Sequence, residues 1–510
     1  MSLLLMVPIV APLAAAALAA ILGWGRLTSS VTVLAAFAIL VSGAILGLGL
    51  GSGQQRVVFG NLLRADALSV TMLIVIGTVG TLATWASVGY LEAELTHGHT
   101  DRRGANLYGV LVPVFLAAMA AAVLANNIGV MWVAIEATTV ATAFLVGHRR
   151  TRSALEATWK YVIICSVGIA LAFLGTVLLY FASLHAGASS GDALNIDVLL
   201  AHARALDPAV TRLAAGLLLL GYGAKAGLVP FHTWLADAHS QAPAPVSALM
   251  SGVLLSVAFA ALLRVKSVVD LAVGTGFLRT GLLIVGLLTL LIAASLLVVQ
   301  TDFKRMLAYS SMENMGLVAV AAAAGTRLAI AALLLHVLAH GIAKTLVFLG
   351  AGQLQSAHDS TQIRAVTGVL SRSILIGATF AVGLAVLLGL PPFAMFASEL
   401  SISRALANAH LGWALGVALL FVVIAFAALV RNGSRMLLGP SATSTSESGA
   451  SETTASEASA VVAASPAIAV PRSVAAALVT GVILSVILGM TAGPLAGLFQ
   501  TAATQLGGTP

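Results

Sequence analysis

A single cysteine, Cys165, stands among the 510 residues. One thiol cannot hold an iron–sulfur cluster or a cysteine-rich zinc site, and it has no partner for an internal disulfide. Charge is scarce too. Asp, Glu, Lys and Arg make up 8% of the chain, where a soluble protein carries about a quarter. There are no strands to speak of, so no dinucleotide fingerprint follows one. Gly51-Ser52-Gly53 is a loop by composition. The chain is therefore expected to carry no metal and no redox cofactor of its own. Basic residues outnumber acidic ones, 25 to 18. No basic patch interleaves with aromatics, which argues against a nucleic-acid partner.

What the chain has in quantity is apolar length. Hydrophobic residues form 60% of it, and apolar runs recur that can each cross about 30 Å of hydrocarbon. The expected fold class is an all-α polytopic membrane protein with about fourteen transmembrane helices. Met1–Trp24 has no basic leader and many spans follow it, so it reads as the first helix and not as a signal peptide. Asn126 and Asn127 mark a tight turn between the fourth and fifth spans. Placing the N-terminus outside puts more of the 25 lysines and arginines in inner loops. This predicts a plasma-membrane protein with both termini on the outer side. Arg264, Lys266 and Arg279, counted with the outer loops, pull the other way.

Two spans, near 211–234 and 371–396, are interrupted. The breaks are Gly227-Leu228-Val229-Pro230-Phe231 and Gly389-Leu390-Pro391-Pro392-Phe393. Beyond each lies a carboxylate, Asp237 after Pro230 and Glu399 after Pro392. A broken helix is tolerated in a bilayer only where it lines a cavity. The breaks fall in the seventh and twelfth spans, so spans 4–8 and 9–13 read as two inverted five-helix repeats. The expected organisation is a three-helix segment over 1–106, a first repeat over 107–265 and a second over 276–438. A flexible loop rich in Ser, Thr and Ala over 439–472 and a last span with its tail over 473–510 follow.

An ionisable residue inside a span costs about 2.5–3.5 kcal/mol on insertion scales and is read first as functional. Glu136 lies mid-way along the fifth span; the plainer alternative is a carboxylate hydrogen-bonded to Thr138 or Thr139. Lys225 precedes Pro230, whose ring is expected to free a carbonyl and kink the helix beside the ammonium. Desolvation weakens an amine's hold on its proton and a nearby carboxylate restores it. A lysine between those limits relays protons; the alternative is a static ion pair. His336, His340 and Lys344 recur at i, i+4 and i+8, about 6 Å apart in rise along one stripe. That spacing suits a water-bridged relay. Metal binding by the two histidines lacks a third ligand on that helix, and histidines bonded to backbone are the bland alternative. Glu399 is expected at a cavity mouth or in a solvated loop. Asp237 and His239 hold the matching place in the first half, as conductors or as caps. His232 follows the first break and could join the relay. Glu313 is expected near the start of the tenth span, as an ion ligand or a cap, and His97 and His99 in a solvated loop.

The stretches Trp132–Glu136, Lys225–His239, Ala242–Leu249, Phe303–Ser311, His336–Lys344 and Leu390–Phe393 together carry a resemblance. They resemble the antiporter-like membrane subunits shared by respiratory complex I, Mrp-type cation/proton antiporters and membrane-bound nickel–iron hydrogenases. Glu136–Thr139, Tyr309–Gly316 and Glu399 are most similar to the hydrogenase-4 component F branch. The resemblance implies that Glu136 pairs across helices with Lys225. It implies a mid-membrane polar axis running on to His336, His340 and Lys344 and out near Glu399. Redox chemistry in a peripheral partner module, beside other membrane subunits, would drive the protons. Many relatives carry a lysine in the eighth span where Ser256 stands here. A serine holds a water and no stable charge, so a water wire is the expected link. The implied role is the proton-translocating subunit of an oxidoreductase complex, NADH-quinone oxidoreductase-like or nickel–iron hydrogenase-like. A sodium/proton antiporter and a membrane anchor for an ion-driven soluble module are the rival readings.

Overall fold

The computed structural model describes residues 2–49, 56–58, 60–439, 468–491 and 493–509. Gly51-Ser52-Gly53 and residues 440–467 of the expected flexible loop lie outside the described residues. Helices α1 (Ser2–Leu22) and α2 (Arg26–Leu48) precede a small hairpin of β1 (Arg56–Val58) and β2 (Leu63–Ala65). Its strands pair antiparallel, with Arg56 opposite Ala65, and are too short for any alternation in the sequence to announce them. Next come α3 (Ala67–Thr96), α4 (Arg102–Leu124), α5 (Ile128–Val146), α6 (Arg152–His185) and the short α7 (Ile196–His202). Helices α8 (Pro208–Lys225), α9 (Trp234–Gln241) and α10 (Ala244–Leu249) follow, and a π-helical turn, Met250–Leu254, joins α10 to α11 (Leu255–Val273). The second half runs through α12 (Gly276–Val298), α13 (Phe303–Ala324), α14 (Arg327–His358), α15 (Val369–Arg372), α16 (Ile374–Leu387), α17 (Ala394–Asn408) and α18 (Gly412–Leu438). The last are α19 (Arg472–Met490) and α20 (Gly493–Gln505).

Eleven segments among the described residues are long and apolar enough to cross a membrane. The expected spans near 211–234, 306–324 and 371–396 are not among them, for physical reasons. Helix α8 stops after 18 residues at Lys225, α13 carries Lys304, Arg305 and Glu313, and α16 has only 14 residues. The expected last span over 473–499 divides at Met490 into α19 and α20. Asn127 caps α5, accepting the N–H groups of Gly129 and Val130, as a tight turn there requires.

Each broken helix ends at its glycine, and at the first this stop replaces the kink expected at Pro230. At the first, Gly227 has φ +78°, its N–H donates to the Ala224 carbonyl, and the Leu228 N–H donates to Gly223. At the second, Gly389 has φ +60°, its N–H donates to Val386, and the Leu390 N–H donates to Ala385. Both are Schellman caps, in which a left-handed glycine lets the last carbonyls find donors. Pro230 and Pro392 lie beyond the helix ends. The chain then resumes as α9 and α17, which puts Asp237, His239 and Glu399 inside helices and not in loops.

The packing has a centre and a rim. The run α10, π-turn, α11 is buried throughout its most apolar window, and α14 nearly so. Helix α14 packs on α3, α10, α13, α16, α17, α19 and α20. Gly252 and Gly341 let the two central runs meet backbone to backbone. A Cβ on either would stand 3.0 Å from the other's carbonyl oxygen, the close approach that small residues permit between apolar helices. Leu34, Phe37, Ile163, Phe173, Trp413 and Val423 on the outer helices face outward and exposed.

One buried ion pair ties α3 to α11. Asp66 caps α3 by accepting from the Ser69 N–H at 2.9 Å, and Arg264 spans both its oxygens at 2.7 and 2.9 Å. Burial pushes the Asp66 carboxyl up, but Arg264 and Arg64 outweigh that and hold it well below the usual carboxylate range. Arg264 and Lys266, counted above with the outer loops, thus stand within α11, with Lys266 paired to Asp270.

Candidate functional site

The first break positions the first half of the site. Lys225 is the last residue of α8 and fully buried. Its Nζ donates to Thr139 Oγ1 at 2.8 Å and to the Tyr161 hydroxyl at 2.6 Å. Thr139 Oγ1 in turn donates to Glu136 Oε2 at 2.9 Å. Glu136 and Thr139 are one turn apart on α5, so they share a face. A hydroxyl therefore stands between the lysine and the carboxylate, where the resemblance implied a direct pair. The ammonium also lies 4.8 Å from the centroid of the Tyr161 ring, an attractive cation–π placement. Around the break, the polar groups are satisfied: Trp234 Nε1 donates to the Ala224 carbonyl at 3.0 Å, and the Val229 N–H donates to Thr289 Oγ1 at 3.0 Å.

The second half lies on α13, α14 and α17. Lys344 is fully buried; its Nζ donates to the Leu307 carbonyl at 2.7 Å and to Ser310 Oγ. His336 Nε2 meets Asn314 Oδ1 at 2.9 Å, and Nδ1 meets Ser398 Oγ at 3.0 Å. An amide oxygen only accepts, so Nε2 carries the proton of the neutral ring. The Ser398 hydroxyl also reaches the Met395 carbonyl at 2.7 Å. It can donate there when His336 is charged and turn to His336 when the ring is neutral. The His336 and His340 rings stack with centroids 6.4 Å apart, which is the stripe the spacing predicts. Neither ring nitrogen of His340 meets a hydrogen-bond partner. Glu399 is half-buried on α17 and presses against the second break. A Cβ on Gly389 would stand 2.3 Å from Glu399 Oε2, so any larger residue there must displace the carboxylate.

Between the halves runs a line of rings. Trp234 lies 4.9 Å from Tyr161 and 5.9 Å from His239, and His239 lies 6.0 Å from Phe348 of α14. His239 is fully buried, and neither ring nitrogen meets a hydrogen-bond partner. Ser256 is buried with its hydroxyl unpartnered, and close by in sequence Ser251 Oγ meets Ser311 Oγ at 2.6 Å.

Four candidates fall away from this line. Asp237 is held by Arg305 at 2.9 Å and Lys160 at 3.2 Å. His232 sits half-buried after the first break with Nδ1 unpartnered and makes no hydrogen bond to Lys225. His97 and His99 stack at 6.0 Å, and His99 approaches Glu94, which Arg149 grips at 2.6 and 3.1 Å. The sequence did not single out Tyr161, Trp234, Ser310, Asn314 or Ser398 as members of the site. Each is neutral, so nothing in hydropathy marks it.

Residues 125–425 match the family of NADH:quinone oxidoreductase/Mrp antiporter transmembrane proteins. A hydrogenase-4 component F homolog of Methylacidiphilum infernorum is 36% identical over 355 residues, covering 69% of this chain and 74% of that protein. Two solved structures share the fold. A chain of the membrane-bound sulfane sulfur reductase, an archaeal respiratory membrane complex, superposes with a TM-score of 0.85 at 21% identity, covering 100% of this chain and 98% of that one. A chain of the Mrp complex from Dietzia sp. DQ12-45-1b gives 0.83 at 21% identity, covering 99% and 98%.

Proposed function

The chain belongs to the NADH:quinone oxidoreductase/Mrp antiporter membrane family, and we propose that it translocates protons as a membrane subunit of a respiratory or hydrogenase-type oxidoreductase complex. It is an integral, multi-pass membrane protein. The observation that carries the proposal is the chain from the fully buried Lys225 through Thr139 to the half-buried Glu136, set at a helix break.

That chain can run in either direction. With Lys225 charged, its N–H donates to Thr139, whose O–H donates to Glu136. If Thr139 gives its proton to Glu136 and takes one from Lys225, the amine and the acid both become neutral. The hydrogen bonds then point the other way, and none is lost. No ion is stranded in the interior at either end state, which removes most of the cost of burying charge. Moving the balance by one pKa unit takes about 1.4 kcal/mol, within what a partner module's redox chemistry supplies. Onward transfer would use His239 and water at Ser256 to reach Lys344, His340 and His336, and leave near Glu399. Buried polar atoms without protein partners are where internal water is held. Asp237 and His232 would serve at the mouth of the first half.

Helices α8 with α9, α13, and α16 with α17 would add three crossings to the eleven, making fourteen. The matched glycine stops favour two inverted repeats over 107–265 and 276–438, between an N-terminal segment over 1–106, a loop over 439–472 and a last span over 473–510. The membrane would be the plasma membrane, with both termini outside. The partners would be other membrane subunits and a peripheral redox module, and this chain would carry no redox cofactor of its own. Lys225→Met in the reconstituted complex is expected to abolish proton pumping while catalysis by the soluble module partly survives. Undiminished pumping would remove Lys225 from the mechanism. Sodium-dependent proton flux by the purified chain alone in liposomes would favour an antiporter. Full activity after replacing both Lys225 and Glu136 would favour a plain anchor.

A further inference from the structure

Glu313 belongs to neither a helix cap nor a surface. Asp302 caps α13, accepting the Arg305 N–H at 2.9 Å, and Glu313 comes about three turns further on. It is buried, 6% exposed. Its Oε2 accepts from Asn314 Nδ2 at 2.8 Å, and Lys344 and Glu399 both lie within electrostatic reach. Glu313 and Glu399 face one small cavity of about 20 Å³, walled by Leu387, Leu388, Val422 and Phe426. That is room for one water between two carboxylates. The cavity sits at the second break, since Leu387 and Leu388 immediately precede Gly389.

Resting on the proton-translocating reading above, we propose that Glu313 is a proton-transfer residue that receives the proton from Lys344 and passes it through a single water to Glu399. The steps balance. The Lys344 ammonium, which is bonded to Leu307 and Ser310 and not to Glu313, gives its proton through a bridging water to the Glu313 carboxylate, leaving a neutral amine and a neutral acid. Glu313 then protonates the cavity water as that water protonates the Glu399 carboxylate, and Glu313 is again an anion facing an uncharged lysine. Ser310 and Asn314 hold the ends of this step in place. Ser310 accepts from Lys344 one turn before Glu313 on the same helix, and Asn314 links Glu313 to His336. An amide cannot relay a proton at reasonable cost, so Asn314 positions and does not conduct. The charged groups that act on Glu313 are Lys344 of α14 and Glu399 of α17, and His336 reaches it through Asn314.

The test uses the assembled complex in proteoliposomes. Glu313→Gln is expected to lower proton flux at least about tenfold, with Glu313→Asp intermediate. Infrared difference spectra should lose one buried carboxyl C=O band in Glu313→Gln, which a merely structural role would not produce. Val422→Trp, which fills the cavity without changing a charge, is expected to lower flux likewise and decides the matter should Glu313→Gln fail to assemble. Wild-type flux in Glu313→Gln or Val422→Trp, beside a dead Lys225→Met, overturns this inference and leaves the general reading standing. Wild-type flux in Lys225→Met as well overturns the general reading.

Discussion

The two helix breaks have the same backbone and opposite chemistry. At the first, the residue two before the glycine is Lys225, and the ammonium itself sits at the stop. At the second, that place is Leu387, and charge arrives from other helices as Glu313 and Glu399. The first half is a closed hydrogen-bonded chain from amine to acid. The second is open: Ser310 takes a bond from Lys344 but gives its own proton to the Leu307 carbonyl at 2.9 Å, not to Glu313. A closed chain can hold a proton at no loss of bonding, while an open one with a small cavity needs water to complete it. The difference teaches that one backbone device, a glycine stop, can carry a closed hydrogen-bonded chain in one half and an open, cavity-lined site in the other.

The largest expected effect tests whether burial alone explains both halves. Asp66–Arg264 is a fully buried pair with no gap in it. Asp66→Asn should destabilise the protein by about 3–5 kcal/mol, read as a fall in melting temperature in detergent, while flux per folded molecule persists. Lost flux in the surviving protein would erase the distinction between structural and conducting charge. The same site makes a pH prediction. Asp66 is held below its unfolded value, so its stabilisation is complete above about pH 4. It is lost as pH falls toward the folded value, and Asp66→Asn should abolish that slope.

Gly389→Ala and Gly227→Ala sharpen the contrast next. Each places alanine at positive φ, at a cost of about 1–2 kcal/mol. The new Cβ at 389 would strike the Glu399 carboxylate, and at 227 the Leu235 side chain. Both should lower the melting temperature, but Gly389→Ala should cost more flux per folded molecule. Thr139→Val opens the first chain and leaves Lys225 with one hydroxyl fewer, a loss of about 1–3 kcal/mol. Flux should fall, and Thr139→Ser should restore it; equal flux in both variants would refute a hydroxyl relay. Ser310→Ala should be mildest, about 1 kcal/mol of stability, because the Leu307 carbonyl still accepts from Lys344.

Much of this was readable in advance. The apolar runs, the two glycine–proline breaks and the His336–His340–Lys344 stripe all follow from spacing along one chain. The mistakes share one cause. Pro230 predicts a kink because its ring forbids helix, yet Gly227 ends the helix before it. A loop is one of the alternatives the sequence leaves open for Glu399 and Asp237, because polar residues lower hydropathy, yet both lie in helices. Arg264 was assigned to a loop because it is charged, yet Asp66, distant in sequence, neutralises it.

The sequence by itself determined the membrane class, the helix breaks and which residues can hold a proton, because length, hydropathy and backbone chemistry are properties of short segments. Only the tertiary structure decided who meets whom. Thr139 stands between Lys225 and Glu136, Glu313 shares a cavity with Glu399, and Trp234 and His239 lie between the halves. Those meetings bring together residues far apart in the chain, and close packing, not local propensity, chooses among the partners a buried polar group can have.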